Sequence, residues 1–222
     1  MNNTNKLHSL EGEIINCKLC PRLVIWREDV ARQKRRAFLD WDYWGKSVPG
    51  FGDPNARVMA VGLAPGAHGS NRTGRMFTGD SSGDFLYPAL FKAGFANQPK
   101  AENLKDGLKL NDLFITAVCR CVPPANKPNL EELNMCQPFL EREINTIKPK
   151  VIVALGRIAY ERILFIYSLR KQEMKFEHGA TYFLDDKTSL VCSYHPSRQN
   201  TQTGRLNVEM FDQIWVKVRE KL

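Results

Sequence analysis

The sequence predicts an α/β fold, a three-layer α/β/α sandwich around a central, mainly parallel four-stranded sheet. From residue 58 onward, short apolar runs alternate with longer stretches of helical periodicity. Alternation of this sort is typical of parallel strands joined by right-handed helical crossovers. A chain of 222 residues with 43% hydrophobic residues can bury one substantial core. We therefore expect a single domain spanning residues 1–222.

Four apolar runs are the expected strands, and the longer segments around them are the expected helices. The strands are expected at residues 58–63, 113–118, 151–155 and 189–193, since each is a compact apolar run of the kind buried in a parallel sheet. The helices are expected at residues 83–93, 130–146, 157–167 and 208–218. In the last helix Val208, Phe211 and Val218 fall on one face, which indicates a helix packed on the sheet.

An N-terminal appendage of about residues 1–45 precedes this alternation. Helical segments are expected near residues 10–15 and 24–38, and the second carries a basic run. The members of the run are Arg27, Arg32, Lys34, Arg35 and Arg36. A solvated helix face explains such a run better than phosphate contact does, although both interpretations stay open.

Composition indicates the cellular setting and the charge of the partner. Lys and Arg total 32 against 24 Asp and Glu, and the net charge of +8 favours an anionic partner. No stretch approaches the roughly 20 apolar residues of a membrane-spanning helix, and the N-terminus lacks the pattern of a signal peptide. We therefore expect a soluble, cytoplasmic chain that does not associate with a membrane.

Two groups of cysteines predict a metal site. Cys17 and Cys20 form a C-x-x-C pair, and Cys121 is followed by Cys136. In a reducing compartment such spacing indicates metal or redox chemistry more often than a disulfide. From spacing alone, tetrahedral zinc and an iron–sulfur cluster are equally good interpretations. Cys192 lies inside an apolar run and is expected to be a small buried side chain.

The carboxyl ends of the strands are where sheets of this type bind ligands. Unusual residues collect there, in segments 62–69, 121–127 and 194–201. Gly62 and Gly66 in the first segment would let a ligand approach the backbone closely. That segment has neither the G-K-[ST] of a phosphate loop nor a clean G-x-G-x-x-G, so a nucleotide cofactor is disfavoured.

Three motifs at this edge resemble a known family. They are GLAPGAHGSNRTGRMFTGDSSGDFLYPAL at 62–90, CVPPANKP at 121–128 and YHPSRQNTQTGRL at 194–206. Together they resemble the type-b, or fifth, family of uracil-DNA glycosylases. The resemblance implies a monofunctional base-excision repair enzyme that hydrolyses the N-glycosidic bond of uracil and leaves an abasic site. The implied partner is DNA containing uracil or other deaminated bases, and we expect a cytoplasmic, prokaryotic monomer.

The resemblance also implies a structural [4Fe–4S] cluster. The related fourth family carries the same four-cysteine layout. The family pattern places its third ligand just before x-Pro-Pro, which selects Cys121 over Cys119, and its fourth ligand in the helix that follows. The implied ligands are Cys17, Cys20, Cys121 and Cys136.

Three polar residues are the expected catalytic groups. Breaking the glycosidic bond builds positive charge on the sugar and negative charge on the departing base. The resemblance assigns Asp80 to the sugar or the attacking water, and His195 to the departing base carbonyl. Asn126 is expected to bond to the base edge or to the water. Each has a plain structural alternative: a helix N-cap for Asp80, a strand-end histidine for His195 and a turn for Asn126.

The remaining implied site residues contact the base or the DNA. Phe77 is expected to stack on a flipped base, with a core phenylalanine as the alternative. The other base- and DNA-binding positions are Gly62, Ala64, Pro65, Gly66, Pro196, Ser197, Arg198 and Asn200. Candidate phosphate contacts flank the motifs at Arg72, Arg75, Arg198 and Arg205.

Features of the motifs bear on the breadth and type of activity. Segment 62–65 holds no Asp or Asn that could activate water strongly, so we expect reliance on Asp80 and on leaving-group stabilisation. This resembles the family's tolerance of deaminated purines such as hypoxanthine. Two other classes stay open, a non-catalytic iron–sulfur or zinc DNA-binding module and an electron-transfer protein, but neither explains the three motifs.

Overall fold

The computed structural model describes residues 2–170 and 172–222. These residues form eight α-helices and six strands. The helices are α1 (Asn3–Ile15), α2 (Pro21–Gln33), α3 (Ser70–Thr73), α4 (Ser81–Lys92), α5 (Leu130–Ile147), α6 (Arg157–Ile166), α7 (Arg198–Gln202) and α8 (Val208–Glu220). The strands are β1 (Phe51–Gly52), β2 (Val58–Gly62), β3 (Leu113–Ala117), β4 (Val151–Leu155), β5 (Thr181–Phe183) and β6 (Ser189–Ser193).

The strands form one six-stranded sheet in the order β1-β3-β2-β4-β6-β5. The four central strands are parallel to one another, which confirms the predicted parallel core. At the two edges β1 and β5 pair antiparallel. These edge strands have only two and three residues, too few to show a strand pattern in the sequence.

Helices cover both faces of the sheet, so the predicted three-layer arrangement is also confirmed. On one face Leu86 of α4 and Trp215 of α8 belong to an apolar cluster with β2 and β3 residues. On the other face Ile144 of α5 and Ile163 of α6 belong to a second cluster, which also includes Leu10 of α1. Every residue of the four parallel strands is buried, which explains their continuous apolar runs.

The N-terminal helices pack on the second face and differ in detail from the prediction. The second helix was expected to reach residue 38, but α2 ends at Gln33, because the next residue, Lys34, has a left-handed backbone with φ of 52°. Arg27 in α2 is only 2% exposed, so the expectation that it belongs to a solvated or phosphate-binding face is wrong. No helix in residues 2–170 and 172–222 is long and apolar enough to cross a membrane.

Candidate active site

Asp80 lies just beyond the carboxyl end of β2 and caps the N-terminus of α4. Its Oδ1 accepts hydrogen bonds from the backbone N–H groups of Ser82 at 3.0 Å and Gly83 at 3.1 Å. Its Oδ2 lies over the glycine-rich loop, where a methyl group at Gly69 would overlap it and one at Gly66 would lie 2.8 Å away. The capping alternative is therefore correct for one carboxylate oxygen, and the second oxygen takes no part in the cap.

The electrostatic surroundings make Asp80 a stronger base than an ordinary aspartate. Burial raises the pKa of Asp80, and Asp84 raises it further. The two backbone hydrogen bonds and the positive charge of Arg72 act in the opposite direction, but burial prevails. A carboxylate with a raised pKa is a common property of catalytic acids and bases.

His195 lies after β6 at the same edge of the sheet. Its ring stacks against Phe77, with ring centroids 5.9 Å apart and planes at 29°. Burial lowers the pKa of His195 to about 4, so the imidazole is neutral at pH 7 and one ring nitrogen carries a proton to donate. A close glycine, which the sequence analysis missed, gives the ring its space: a methyl group at Gly156 would lie 3.2 Å from His195 Cβ.

Phe77 connects the histidine to the core. Its side chain is 8% exposed, and its ring fills the space that a side chain at Gly62 would need, 2.6 Å from the phenyl Cζ. Its backbone has φ of 53°, which is rare for a bulky residue and occurs chiefly at functional sites. The core alternative describes its packing, and stacking on a flipped base stays a prediction.

The loop after β6 is held by its own side chains. Ser197 caps α7 by accepting from the N–H of Asn200 at 3.4 Å, and Asn200 Nδ2 donates to the carbonyl of His195 at 2.9 Å. Pro196 is buried, whereas Arg198 is exposed to solvent. Of these four predicted DNA-binding positions, Arg198 is therefore the one whose charge faces a partner, and Asn200 fixes the backbone at the histidine.

Asn126 and the first loop are placed less closely around Asp80. Asn126 is exposed in a turn with φ of 57°, and its side chain makes no hydrogen bond to another described residue. The structure does not bring it into contact with Asp80 or His195, so its catalytic role stays a prediction. Pro65 is buried and Ala64 is half-buried in the loop that passes Asp80.

Arg75, a predicted phosphate contact, binds a carboxylate of the protein instead. It is 4% exposed and forms two hydrogen bonds with Asp106, at 2.9 and 2.5 Å. Burial raises the pKa of Asp106, but bonds from Arg75 and from three backbone N–H groups outweigh it and lower the value to about 2. The expectation of phosphate contact is wrong for Arg75, because its charge is already neutralised inside the fold.

Arg72, the other buried arginine of the motif, is also inaccessible to a phosphate. Its side chain is 4% exposed and lies between the rings of Phe38 and Trp41, with Cζ 3.9 and 4.0 Å from the two ring centroids. The phosphate expectation is therefore wrong here too. The sequence analysis missed this pair of rings, although the density of aromatic residues in segment 38–44 could have indicated it.

The four predicted ligand cysteines come together on the second face of the sheet. Cys121 and Cys136 belong to one apolar cluster, and Cys17 and Cys20 pack against it. Burial raises the pKa of Cys20 to about 12, and the neighbouring Cys136, Cys121 and Cys17 contribute to the increase. The fold therefore gathers the C-x-x-C pair with the two later cysteines, all of them as free thiols.

Hydrogen-bond donors point at these sulfurs. Arg27 Nη1 donates to Cys121 Sγ at 3.0 Å, and Ser47 shares a hydrogen bond of 3.2 Å with the same sulfur. The N–H of Arg120 donates to Cys136 Sγ at 3.3 Å. Donors of this kind stabilise thiolates, and hydrogen bonds to sulfur are typical of iron–sulfur proteins, so the residues present fit a thiolate-ligated group.

The arrangement of the thiols is nevertheless not that of a formed metal centre. Within residues 2–170 and 172–222, no three or more His, Cys, Asp or Glu side chains are grouped as they would be around an ion. The two other cysteines have different surroundings: Cys119 Sγ donates to the carbonyl of Cys121 at 3.4 Å, and Cys192 is fully buried in β6, as expected.

Comparison with known proteins agrees with this site. Residues 49–219 match the family described as the uracil DNA glycosylase superfamily. The chain is 54% identical over 205 residues to the type-5 uracil-DNA glycosylase of Thermus thermophilus, an alignment that covers 91% of this chain and 92% of the relative. It is 49% identical to the type-5 enzyme of Mycobacterium leprae, with 93% and 91% covered. A type-4 uracil-DNA glycosylase of Pyrobaculum aerophilum is 32% identical, with 86% and 82% covered.

Proposed function

The chain belongs to the uracil-DNA glycosylase superfamily, and we propose that it hydrolyses the N-glycosidic bond of uracil in DNA as a monofunctional base-excision repair enzyme. The relatives of similar length carry this activity in their names. The observation that carries the proposal is the pairing, at one edge of the sheet, of a basic carboxylate on Asp80 with a neutral imidazole on His195. Glycosidic hydrolysis needs groups of these two kinds.

Asp80 acts on the sugar side of the bond. The base must leave the helical stack before the bond can be reached, and the flipped nucleotide enters the edge lined by the glycine-rich loop. The Oδ2 atom over Gly66 and Gly69 then stabilises positive charge on the sugar or orients the attacking water. Because its Oδ1 is fixed by two backbone N–H groups, the carboxylate keeps its orientation without rearrangement during the reaction.

His195 acts on the departing base. As the bond breaks, negative charge develops on a base carbonyl, and a neutral imidazole N–H can donate to it. Phe77, stacked against the imidazole, restricts the orientation of the ring and supplies an aromatic surface for the base. Asn126, in the exposed turn after β3, meets the base edge or the water when DNA is bound, and Arg198 meets the phosphates.

The same geometry supports activity on other deaminated bases. Segment 62–65 supplies no Asp or Asn to activate water, so the reaction depends on Asp80 and on stabilising the leaving group. Leaving groups of several shapes can satisfy those demands. Duplexes with hypoxanthine or xanthine in place of uracil test this, and cleavage of uracil alone would contradict it.

The cysteines hold a structural [4Fe–4S] cluster in this proposal, with Cys17, Cys20, Cys121 and Cys136 as ligands. Such a cluster, when bound, cross-links the N-terminal helices to the loop after β3 and to α5. The donors on Cys121 and Cys136 support thiolate ligands, which zinc also accepts. Iron and sulfide analysis with a visible spectrum of the purified protein distinguishes the two, since zinc gives no visible absorption.

The central experiment is a single-turnover assay on a labelled duplex with one uracil, followed by alkali. We expect strand breaks only after alkali, and a loss of about 10²–10⁴-fold in Asp80→Asn or His195→Ala with DNA binding retained. Asp84→Asn is the matched control, because Asp84 is an exposed acid in the same first helical turn and should retain full activity.

The outcomes separate the remaining classes of function. A folded protein that binds DNA and yields no abasic product would favour the non-catalytic binding module over the enzyme. Strand breaks without alkali would indicate a lyase reaction through an amine, with Lys127 the nearest lysine in the motifs, and would contradict a monofunctional mechanism.

A further inference from the structure

Arg72 bonds only to backbone carbonyls, although it is a buried cation close to the catalytic carboxylate. Its Nε donates to the carbonyl of His68 at 2.7 Å, and its Nη2 donates to the carbonyl of Gly79 at 2.9 Å. Its Nη1 is buried with no hydrogen-bond partner among the described residues. The rings of Phe38 and Trp41 hold the guanidinium by cation–π contact. A cation buried in this way needs a reason beyond the filling of space.

The two carbonyls lie on either side of the catalytic carboxylate. His68 immediately precedes Gly69, whose Cα faces Asp80 Oδ2, and Gly79 immediately precedes Asp80 itself. The guanidinium therefore joins the glycine-rich loop to the residue before the carboxylate. A side chain at Gly79 would overlap Arg72 Nη2, so the contact is close as well as bonded.

The segment that carries the two rings is fixed to the same loop. The N–H groups of Trp44 and Gly45 donate to the carbonyls of Arg72 at 2.9 Å and Asn71 at 3.1 Å. The hydroxyl of Tyr43 is hydrogen-bonded to Nδ1 of His68 at 3.1 Å. Residues 38–45, outside the three sequence motifs, thus form a second layer around Arg72, and we name them the aromatic segment.

We propose that Arg72 is a positioning residue, which holds the glycine-rich loop and the Asp80 carboxylate in register and places its charge beside that carboxylate, with the aromatic segment keeping the guanidinium in place. This inference rests on the proposed function of Asp80. It is distinct from a phosphate contact, because the guanidinium is covered by the two rings and does not reach DNA.

The electrostatics agree with this geometry. The charge of Arg72 lowers the pKa of Asp80 and so moderates the increase caused by burial. The other titratable side chains that act on Asp80 are Asp84, which raises its pKa, and Tyr87. Loss of Arg72 leaves Asp80 with burial and Asp84 acting in the same direction, so its pKa rises further.

The test is the pH profile of single-turnover excision in Arg72→Met and Arg72→Lys. We expect Arg72→Met to lower the rate about 10–100-fold at pH 7.5 and to move the acid limb upward by about half a pH unit or more. The dissociation constant for the duplex and its salt dependence should not change. Arg72→Lys should restore the position of the acid limb and only part of the rate, because a lysine keeps the charge and lacks the two-sided bonding of the guanidinium.

Two further variants guard against a simple folding defect. Phe38→Ala combined with Trp41→Ala leaves Arg72 in the chain and should give the same changes with smaller size. Arg75→Met, the matched arginine control, should lower stability without moving the acid limb. Phe183→Ala is the matched aromatic control, because Phe183 is an exposed ring beside Lys221, far along the chain in β5, and should leave the profile unchanged.

Each outcome decides the inference. An unchanged acid limb in Arg72→Met would overturn it, and so would weaker duplex binding with a shallower salt dependence, which indicates a phosphate contact. If Arg72→Met does not fold, the double aromatic variant decides by the same readouts. If Asp80→Asn keeps the wild-type rate, the proposed function of Asp80 fails first, whereas an inactive Asp80→Asn with a normal Arg72→Met profile refutes only the role of Arg72.

Discussion

Arg75 and Arg72 lie three residues apart in one motif, yet they affect the neighbouring carboxylates in opposite ways. Arg75 forms a bidentate pair with Asp106 and, with backbone N–H groups, lowers the pKa of that acid to about 2. Arg72 bonds to carbonyls around Asp80 and leaves its carboxylate without a bonded cation, with a raised pKa. A directly paired acid is held ionised and serves the fold, whereas an acid whose arginine is one step removed stays basic enough for chemistry.

Breaking the paired site should give the largest effect on stability. Arg75→Met leaves Asp106 buried and uncompensated, and we expect a loss of about 3–5 kcal/mol in the free energy of unfolding. Urea denaturation at pH 7 measures this loss. A decrease below about 1 kcal/mol would mean that the pair is no stronger than an exposed salt bridge and would remove one side of the comparison.

Crowding the unpaired site should affect activity more than the fold. In Gly69→Ala the new methyl group overlaps Asp80 Oδ2, so the carboxylate must move, and we expect a loss of about 100-fold in single-turnover rate. Gly12→Ala is the control, since a methyl group there, in α1, meets no atom within 4 Å. Equal rates for the two variants would show that the position of Oδ2 is unimportant.

The pH dependence sharpens the same contrast. Excision should decline as the pH falls through the pKa of Asp80, which is above the ordinary value, and the residual activity of Asp80→Asn should lack this limb. His195 adds no limb between pH 5 and 8, because its pKa is about 4. Rates measured from pH 5 to 9 under single-turnover conditions test this, and a limb that persists in Asp80→Asn would assign it to another group.

The smallest expected effect is a gain in stability on removing the catalytic charge. A carboxylate whose pKa is raised on folding costs stability above that pKa, and this cost disappears as the pH falls below the unfolded value. Asp80→Asn keeps the helix cap and removes the cost, so we expect a gain on the order of 1 kcal/mol at pH 7. The gain should vanish near pH 4, and a loss of stability at pH 7 would show that the cap depends on charge.

The sequence predicted the parallel core and much of its function for physical reasons. The four buried strands are continuous apolar runs, and their carboxyl ends bring the motifs to one edge. The two-residue strand β1 and the left-handed Lys34 that ends α2 leave no periodic signal. The burial of Arg27, Arg72 and Arg75 was missed, because arginine suggests an exposed charge until its tertiary partners are known.

The aromatic segment has a practical consequence for anyone who shortens the chain. The family match begins at residue 49, which invites an expression boundary there. That cut would keep Asp80, Phe77 and His195 but remove Phe38, Trp41 and the Trp44 ring, which lies 2.8 Å from the position of a methyl group on Gly74. The shortened protein would present a complete motif set on an unsupported loop, so the smallest unit worth producing begins near the N-terminus.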